Sequence, residues 1–128
     1  MSKLTTIGRL GREIYREIDY HGTILHMSEF VMVERPEGNY IGIIDEIQEG
    51  CVSVSVPKQG DKVMWLSYTL RRNKKLTPCL ELKPGTIITP SSNGKFDTLM
   101  RNAAIPGATW VFEGNKSILI VNPWLEEK

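Results

Sequence analysis

The sequence predicts a mainly β protein with minor helical content, and three observations carry this prediction. From residue 23 onward, segments rich in β-branched and aromatic side chains alternate with short turns containing Gly or Pro. Residues 51–56 place a valine at every second position, the period of a strand with one buried face. Helical patterns are confined to residues 4–20 and 96–104 in this interpretation. We therefore expect antiparallel sheets in a single domain spanning residues 1–128.

An N-terminal helix is predicted for residues 4–20, because apolar side chains recur there at steps of three or four. The side chains that would share one helical face are Leu4, Ile7, Leu10, Ile14 and Ile18. Gly8 and Gly11 weaken the first half by about 1 kcal/mol each relative to alanine. Gly22 is the expected stop signal just beyond the helix. We expect the helix to cover a sheet, with a partner-binding helix as the alternative.

A barrel-like core is predicted for residues 23–76. The strands are expected at residues 23–27, 29–33, 39–47, 51–56 and 62–68. Gly- and Pro-containing turns separate the longer ones. Strands this short, joined by tight turns, are typical of an antiparallel barrel or sandwich.

The remaining segment, residues 78–125, is predicted to combine extended chain, a short helix and a C-terminal β-hairpin. The helix is expected at residues 96–104 and is stopped by Pro106 and Gly107. The hairpin joins residues 109–113 to 117–121 through Gly114-Asn115, a pair that suits a type II′ turn.

The stretch from residue 30 to residue 76 has a layout that resembles a small SH3-like barrel of the KOW or Tudor type. Its sequence features are Val31 and Val33, a Pro/Gly loop, Tyr40-Ile41-Gly42-Ile43-Ile44, Val52-x-Val54-x-Val56, a tight turn, Met64-Trp65-Leu66 and Leu70. The resemblance covers 47 of 128 residues and rests on spacing and residue type. It implies an antiparallel SH3-like barrel segment that binds protein or nucleic-acid segments rather than catalysing a reaction.

Composition excludes several classes of protein. With 16 Lys+Arg against 15 Asp+Glu, the net charge of +1 provides no overall field that would attract a polyanion. Apolar runs such as residues 118–121 are far shorter than the ~20 residues of a membrane-spanning helix. The first residues show no apolar signal-peptide core, so we expect a cytoplasmic protein without membrane contact. Cys51 and Cys79 are expected to be buried, reduced thiols, with a disulfide or a reactive thiol as the alternative.

No motif for catalysis, metal binding or cofactor binding is found in the sequence. His21 and His26 would face opposite sides of a strand, and His21 suits the C-terminal end of the predicted helix. Asp45, Glu46 and Glu49 are interpreted as solvated charges. We therefore expect no catalytic residue, no metal site and no cofactor, and predict that the protein is not an enzyme.

Charge is strongly segregated along the chain. Residues 21–50 hold six acidic residues and one basic residue, a net charge of −5. Residues 51–85 hold seven basic and two acidic residues, a net charge of +5. The candidate binding residues are Lys58, Lys62, Trp65, Tyr68, Arg71, Arg72, Lys74 and Lys75. The basic members would contact phosphates while Trp65 or Tyr68 stacks on a base; alternatively, the two charged stretches offset one another within the sheet or between subunits.

The sequence therefore predicts a non-catalytic binding module that acts through protein–protein contacts or oligomeric assembly. A nucleic-acid-binding protein that uses the loop at residues 71–75 is the second hypothesis. A small-ligand binder or an enzyme whose site is not visible in the sequence is the third. Trp124 and Leu125 form an apolar tip expected to dock on the protein's own core or on a neighbouring subunit.

Overall fold

The chain folds into antiparallel sheets, so the prediction of a mainly β protein is confirmed. The computed structural model describes residues 3–7, 13–58, 60, 62–72, 75–91, 93–103, 108–113 and 116–121. Its strands are β1 (Lys3–Ile7), β2 (Glu13–Tyr15), β3 (Glu17–Tyr20), β4 (Thr23–His26), β5 (Phe30–Arg35), β6 (Gly38–Gln48), β7 (Cys51–Pro57), β8 (Val63–Thr69), β9 (Leu76–Pro78), β10 (Ile87–Ile88), β11 (Ala108–Glu113) and β12 (Lys116–Val121). A 3₁₀ turn covers Cys79–Glu81, and helix α1 covers Gly94–Ala103. Within these described ranges, no helix is long and apolar enough to cross a membrane.

The predicted N-terminal helix at residues 4–20 is wrong, because β1, β2 and β3 occupy the described part of this stretch. β1 pairs with β2, and β3 pairs with β4. Ile14 and Ile18 lie four positions apart, an even spacing that fits the strand period of two as well as a helix. Both are buried, and Ile18 alternates with exposed Asp19 and buried Tyr20. Burial of β-branched and aromatic side chains in the tertiary structure therefore favoured the strand period over the helical period.

Strands β3 and β4 are joined by His21 and Gly22, so neither residue ends or follows a helix as predicted. Tyr20 pairs with Thr23, which leaves a two-residue loop. His21 and Gly22 both have positive φ, 51° and 88°, as a type I′ hairpin turn requires. The Gly22 N–H also donates a hydrogen bond to Asp19 Oδ1 at 2.8 Å, which further ties the turn to β3.

The largest sheet has five strands in the order β8-β7-β6-β5-β9, and the main core covers its inner face. The valine alternation in β7 is confirmed, since Val52, Val54 and Val56 are all fully buried. The hairpin β3–β4 packs over this face. The buried residues of the main core are Ile18, Tyr20, Leu25, Val31, Val33, Tyr40, Ile44, Ile47, Val52, Val54, Val56, Tyr68 and Leu76.

Strand β6 has two features that bend a strand. Its ladder with β7 is irregular between Ile44 and Glu46, as at a β-bulge. At Gly42, a Cβ would lie 2.7 Å from Val54 Cγ1 and 2.8 Å from the Ser55 carbonyl oxygen. Glycine is therefore required at this close approach of β7 to β6. The sheet nevertheless does not close, because β8 and β9 are its two edges among the described strands.

A second core covers the outer face of β5 and β6. It consists of Met32, Ile41, Cys79, Ile88, Phe96 and Trp110, with Phe30, Ile43 and Leu82 packed against it. These residues bring α1 and the three-stranded sheet β10-β12-β11 onto the larger sheet. The antiparallel hairpin β11–β12 confirms the C-terminal prediction. The predicted helix stop and type II′ turn, at residues 104–107 and 114–115, lie outside the described residues.

Candidate functional site

Strand β8 presents Trp65 and Tyr68 on opposite faces of the sheet. Trp65 faces outward beside Ser55 and is 54% exposed, whereas Tyr68 faces inward beside Val52 and is 4% exposed. Burial also raises the pKa of the Tyr68 hydroxyl. The Tyr68 ring is therefore part of the core, which removes it from the predicted pair of stacking residues. Trp65 keeps an accessible ring.

The open edge of β8 can be assigned from two hydrogen bonds at the ends of the β7–β8 hairpin. The Lys58 N–H donates to the Lys62 carbonyl at 2.7 Å, and the Leu70 N–H donates to the Gly50 carbonyl at 3.0 Å. The register between these ends has no shift. Since hydrogen-bonded and non-hydrogen-bonded pairs alternate, the even-numbered residues of β8 bond to β7. The odd-numbered residues, such as Val63 and Ser67, direct their backbone N–H and C=O groups away from β7.

A cleft of about 340 Å³ runs along this open edge, and we call it the β8 cleft. It is lined by Arg35, Trp65, Leu66, Ser67, Tyr68, Thr69 and Arg72. The lining combines one edge of the five-stranded sheet with the last residue of β5 and with the loop that follows β8. The cleft therefore lies at the open edge of the five-stranded sheet.

The backbone of Arg72 is held in place by the β3–β4 hairpin. Its carbonyl oxygen accepts a hydrogen bond from the Tyr20 hydroxyl at 3.1 Å and contacts His21 Nε2 at 2.9 Å. Because a carbonyl only accepts, Nε2 is the protonated ring nitrogen in this contact. The Arg72 N–H donates to the Thr69 carbonyl at 3.1 Å. Tyr20 was not singled out from the sequence, and His21 was assigned to the end of a helix, although a two-residue turn containing Gly22 is a recognisable hairpin signal.

Arg35 supplies a second cation to the β8 cleft. Its Nε donates to Glu37 Oε1 at 2.8 Å. This hydrogen bond lowers the pKa of Glu37 and raises the pKa of Arg35. The two Nη groups of a guanidinium carry four further N–H donors. Arg35 was missed in the sequence because it lies within the acidic stretch at residues 21–50.

The predicted basic residues do not gather at one place. Lys62 immediately precedes β8 and Arg71 follows it closely, so the strand rise separates them by roughly 30 Å. Lys58 places its Nζ 4.1 Å from the centroid of the Tyr40 ring, a cation–π contact near the Lys62 end. Lys62, Arg71, Arg72 and Lys75 are exposed. Lys74, Trp124 and Leu125 lie outside the described residues.

The acidic residues contribute no metal site in the described part of the chain. Glu46, expected to be solvated, is only 7% exposed and accepts a hydrogen bond from Gln48 Nε2 at 2.8 Å. Glu46 lies on β6, and β2 packs against this strand. A second cleft of about 350 Å³ is lined by Glu13, Tyr15, Gln48 and Glu49. Among the described ranges, no group of three His, Cys, Asp or Glu side chains is arranged to hold a metal ion.

Both cysteines are free thiols with different environments. Cys79 lies buried in the second core, and Cys51 is half-buried on β7. Burial, with a smaller contribution from the charge of Glu29, raises the pKa of the Cys79 thiol to about 12. Cys79 therefore stays protonated at neutral pH, which makes it a poor nucleophile.

Comparisons of this chain with family models, curated proteins and solved structures find no match. The resemblance of residues 30–76 to SH3-like barrels stays a prediction.

Proposed function

We propose that the chain is a non-catalytic binding module that binds an acidic segment of a protein partner in the β8 cleft. The observation that carries this proposal is that exposed Trp65 lines one cleft together with Arg35 and Arg72, at the open edge of β8. Tryptophan and arginine are the side chains that most often dominate the energy of protein–protein interfaces. An arginine fork also matches the geometry of a carboxylate.

The strand order supports assigning residues 30–76 to an SH3-like barrel segment. Four strands follow one another as a meander, and β9 returns to pair with β5. The close approach of β7 at Gly42 falls at the position where the resemblance expects a glycine-containing bend. The resemblance implies a module that binds polymer segments, in agreement with the proposed function.

Charge disfavours a second copy of the chain as the partner at this edge. Antiparallel pairing of two β8 strands would bring Lys62 of one copy towards Arg71 and Arg72 of the other. Like charges opposed across a strand pair are destabilising, and cations at an edge strand discourage such pairing. The same cations attract a segment that carries carboxylates.

Nucleic acid is the second candidate function, favoured by the exposed Trp65 ring beside Arg72. Stacking of a base on Trp65 with a phosphate on Arg72 would produce salt-dependent binding of single strands. The separation of Lys62 from Arg71 and the burial of Tyr68 leave fewer phosphate and base contacts than the sequence predicted. These facts favour a protein segment over a nucleic acid.

The proposed function is tested by selecting a displayed random-peptide library on the wild-type chain and on Arg72→Glu. We expect acidic peptides to be enriched on the wild type and lost on the variant. Lys83→Glu is the matched control, because it makes the same charge change at an exposed residue outside the cleft lining. Equal enrichment on all three proteins, or none on any, contradicts the proposal.

The nucleic-acid candidate is tested by titrating labelled single-stranded RNA and DNA at low and high salt. Binding that falls with salt and is lost in Trp65→Ala would favour that candidate over a protein segment.

A further inference from the structure

We infer that the partner segment binds as an additional β-strand along the open edge of β8, which deepens and rests on the proposed function. β8 has seven residues, and among the described strands it pairs with β7 alone. Val63 and Ser67 direct their backbone N–H and C=O groups outward, four positions apart. An added strand would meet these two positions at a separation of roughly 13 Å. Main-chain hydrogen bonds of this kind supply affinity that does not depend on sequence.

The side chains around the edge set the sequence of the added strand. Its residues alternate between the two faces of the sheet, as those of β8 do. On the outer face, a β-branched or aromatic residue would pack against exposed Trp65. Lys62 precedes the strand, while Arg71 and Arg72 follow it, so a carboxylate is favoured at each end of the added segment. The predicted occupant is therefore an extended segment of about seven residues with an apolar or β-branched centre and acidic ends.

The cation arrangement also explains how the edge avoids indiscriminate pairing. A long open edge is a template for any neighbouring strand, and terminal cations exclude partners that are basic. Acidic ends on the correct partner convert this exclusion into attraction.

The probe is the blocked peptide Glu-Val-Thr-Val-Thr-Val-Glu, and its charge control has lysine at both ends. Two further versions carry backbone N-methyl groups, one at the even positions and one at the odd positions. An added strand directs alternate N–H groups towards β8 and the others to solvent. We therefore expect one N-methylated version to lose at least about tenfold in affinity while the other binds within about twofold of the parent. The lysine version is expected to bind weakly.

The matched protein variants are Ser67→Pro and Ser67→Ala. Proline removes the N–H that faces the open edge and leaves the ladder with β7 intact. Ser67→Pro should bind the acidic peptide about tenfold more weakly than Ser67→Ala, which removes the same hydroxyl but keeps the backbone N–H. Circular dichroism confirms that both variants fold. Should Ser67→Pro fail to fold, the affinities of the two N-methylated peptides for the wild-type chain test strand addition instead.

The outcomes separate this inference from the proposed function. Equal affinity of the two N-methylated versions overturns strand addition, while acidic peptides that bind through Arg72 still support the proposed function. No binding of the acidic peptide at about 1 mM overturns strand addition by such a segment, and the displayed-peptide selection decides the proposed function separately. Displacement of the peptide by single-stranded RNA that binds more tightly contradicts both.

Discussion

The Tyr20 hydroxyl donates a hydrogen bond to the carbonyl oxygen of Arg72 at 3.1 Å, across 52 positions of sequence. Tyr20 ends β3, and its ring is buried in the main core. The contact therefore fixes the loop after β8 to β3, a strand that was predicted from the sequence to be part of a helix. It also positions the backbone from which Arg72 enters the β8 cleft.

Tyr20→Phe should weaken this link while the aromatic ring stays in the core. We expect the free energy of unfolding to fall by about 0.5–1.5 kcal/mol, the usual value of one hydrogen bond. Urea unfolding measures this loss, and acidic-peptide binding should weaken as well because Arg72 is less well positioned. Tyr40→Phe is the control, because it removes a hydroxyl from the same core at a position that does not line the β8 cleft. An equal loss of peptide affinity in both variants would contradict a positioning role for Tyr20.

Gly42→Ala should destabilise the protein because its Cβ would overlap the β7 backbone. The Ser55 carbonyl oxygen lies 2.8 Å from the Cβ position and belongs to the strand ladder, so it cannot move aside easily. Overpacking of this kind costs about 1–3 kcal/mol. Thermal and urea unfolding give the measurement. Gly94→Ala, where no atom lies within 4 Å of the Cβ position, should leave stability unchanged or slightly raised; similar losses at both glycines would argue against a close approach at Gly42.

Asn93 connects helix α1 to the β7–β8 loop, and two substitutions separate these contacts. Its Oδ1 accepts from the Phe96 N–H at 3.0 Å as an N-cap, and its Nδ2 donates to the Gly60 carbonyl at 3.0 Å. Asn93→Ala removes both and should cost about 1–2 kcal/mol. Asn93→Asp keeps the cap acceptor and loses only the donor, so it should cost less. Chemical unfolding measures the loss of unfolding free energy in each variant. Equal losses would show that the contact with Gly60 accounts for the whole contribution of Asn93 and that the N-cap contributes nothing.

Cys79 should be unreactive in the folded protein. Since burial raises its pKa to about 12, it is protonated at pH 8, whereas half-buried Cys51 is more accessible. A thiol-specific disulfide reagent should therefore modify one cysteine in the native protein and two after unfolding. In Cys51→Ser, no thiol should react before unfolding. Rapid modification of Cys79 in that variant would contradict its burial.

The raised pKa of Cys79 also predicts a loss of stability in alkali. The unfolded thiol titrates near its ordinary pKa of about 9, and the folded thiol near 12. The contribution of the protonated Cys79 thiol to the free energy of unfolding is therefore fully present below pH 9 and is lost as the pH rises from 9 towards 12. Urea unfolding at a series of pH values across this range measures the free energy of unfolding. It should decline less steeply with pH for Cys79→Ala than for the wild type, because the two proteins share all other titrating groups.

Local sequence patterns were sufficient to predict the mainly β class, the buried valines of β7 and the C-terminal hairpin. These features follow from local periodicity and turn chemistry, which neighbouring residues specify without help from the rest of the chain. The opposite faces of Trp65 and Tyr68 were also implied by their odd spacing in a strand.

The strands at the N-terminus and the lining of the β8 cleft depend on tertiary contacts. The even spacing of Ile14 and Ile18 satisfies a helix and a strand equally; both side chains are buried, Ile18 in the main core, and the chain there forms β2 and β3 instead of a helix. Arg35 and Arg72 lie 37 positions apart in the sequence, on stretches of opposite net charge. They line one cleft because the fold brings the end of β5 and the loop after β8 together at the open edge of the five-stranded sheet. Such a site depends on contacts between residues distant in sequence, which periodicity and residue type do not encode.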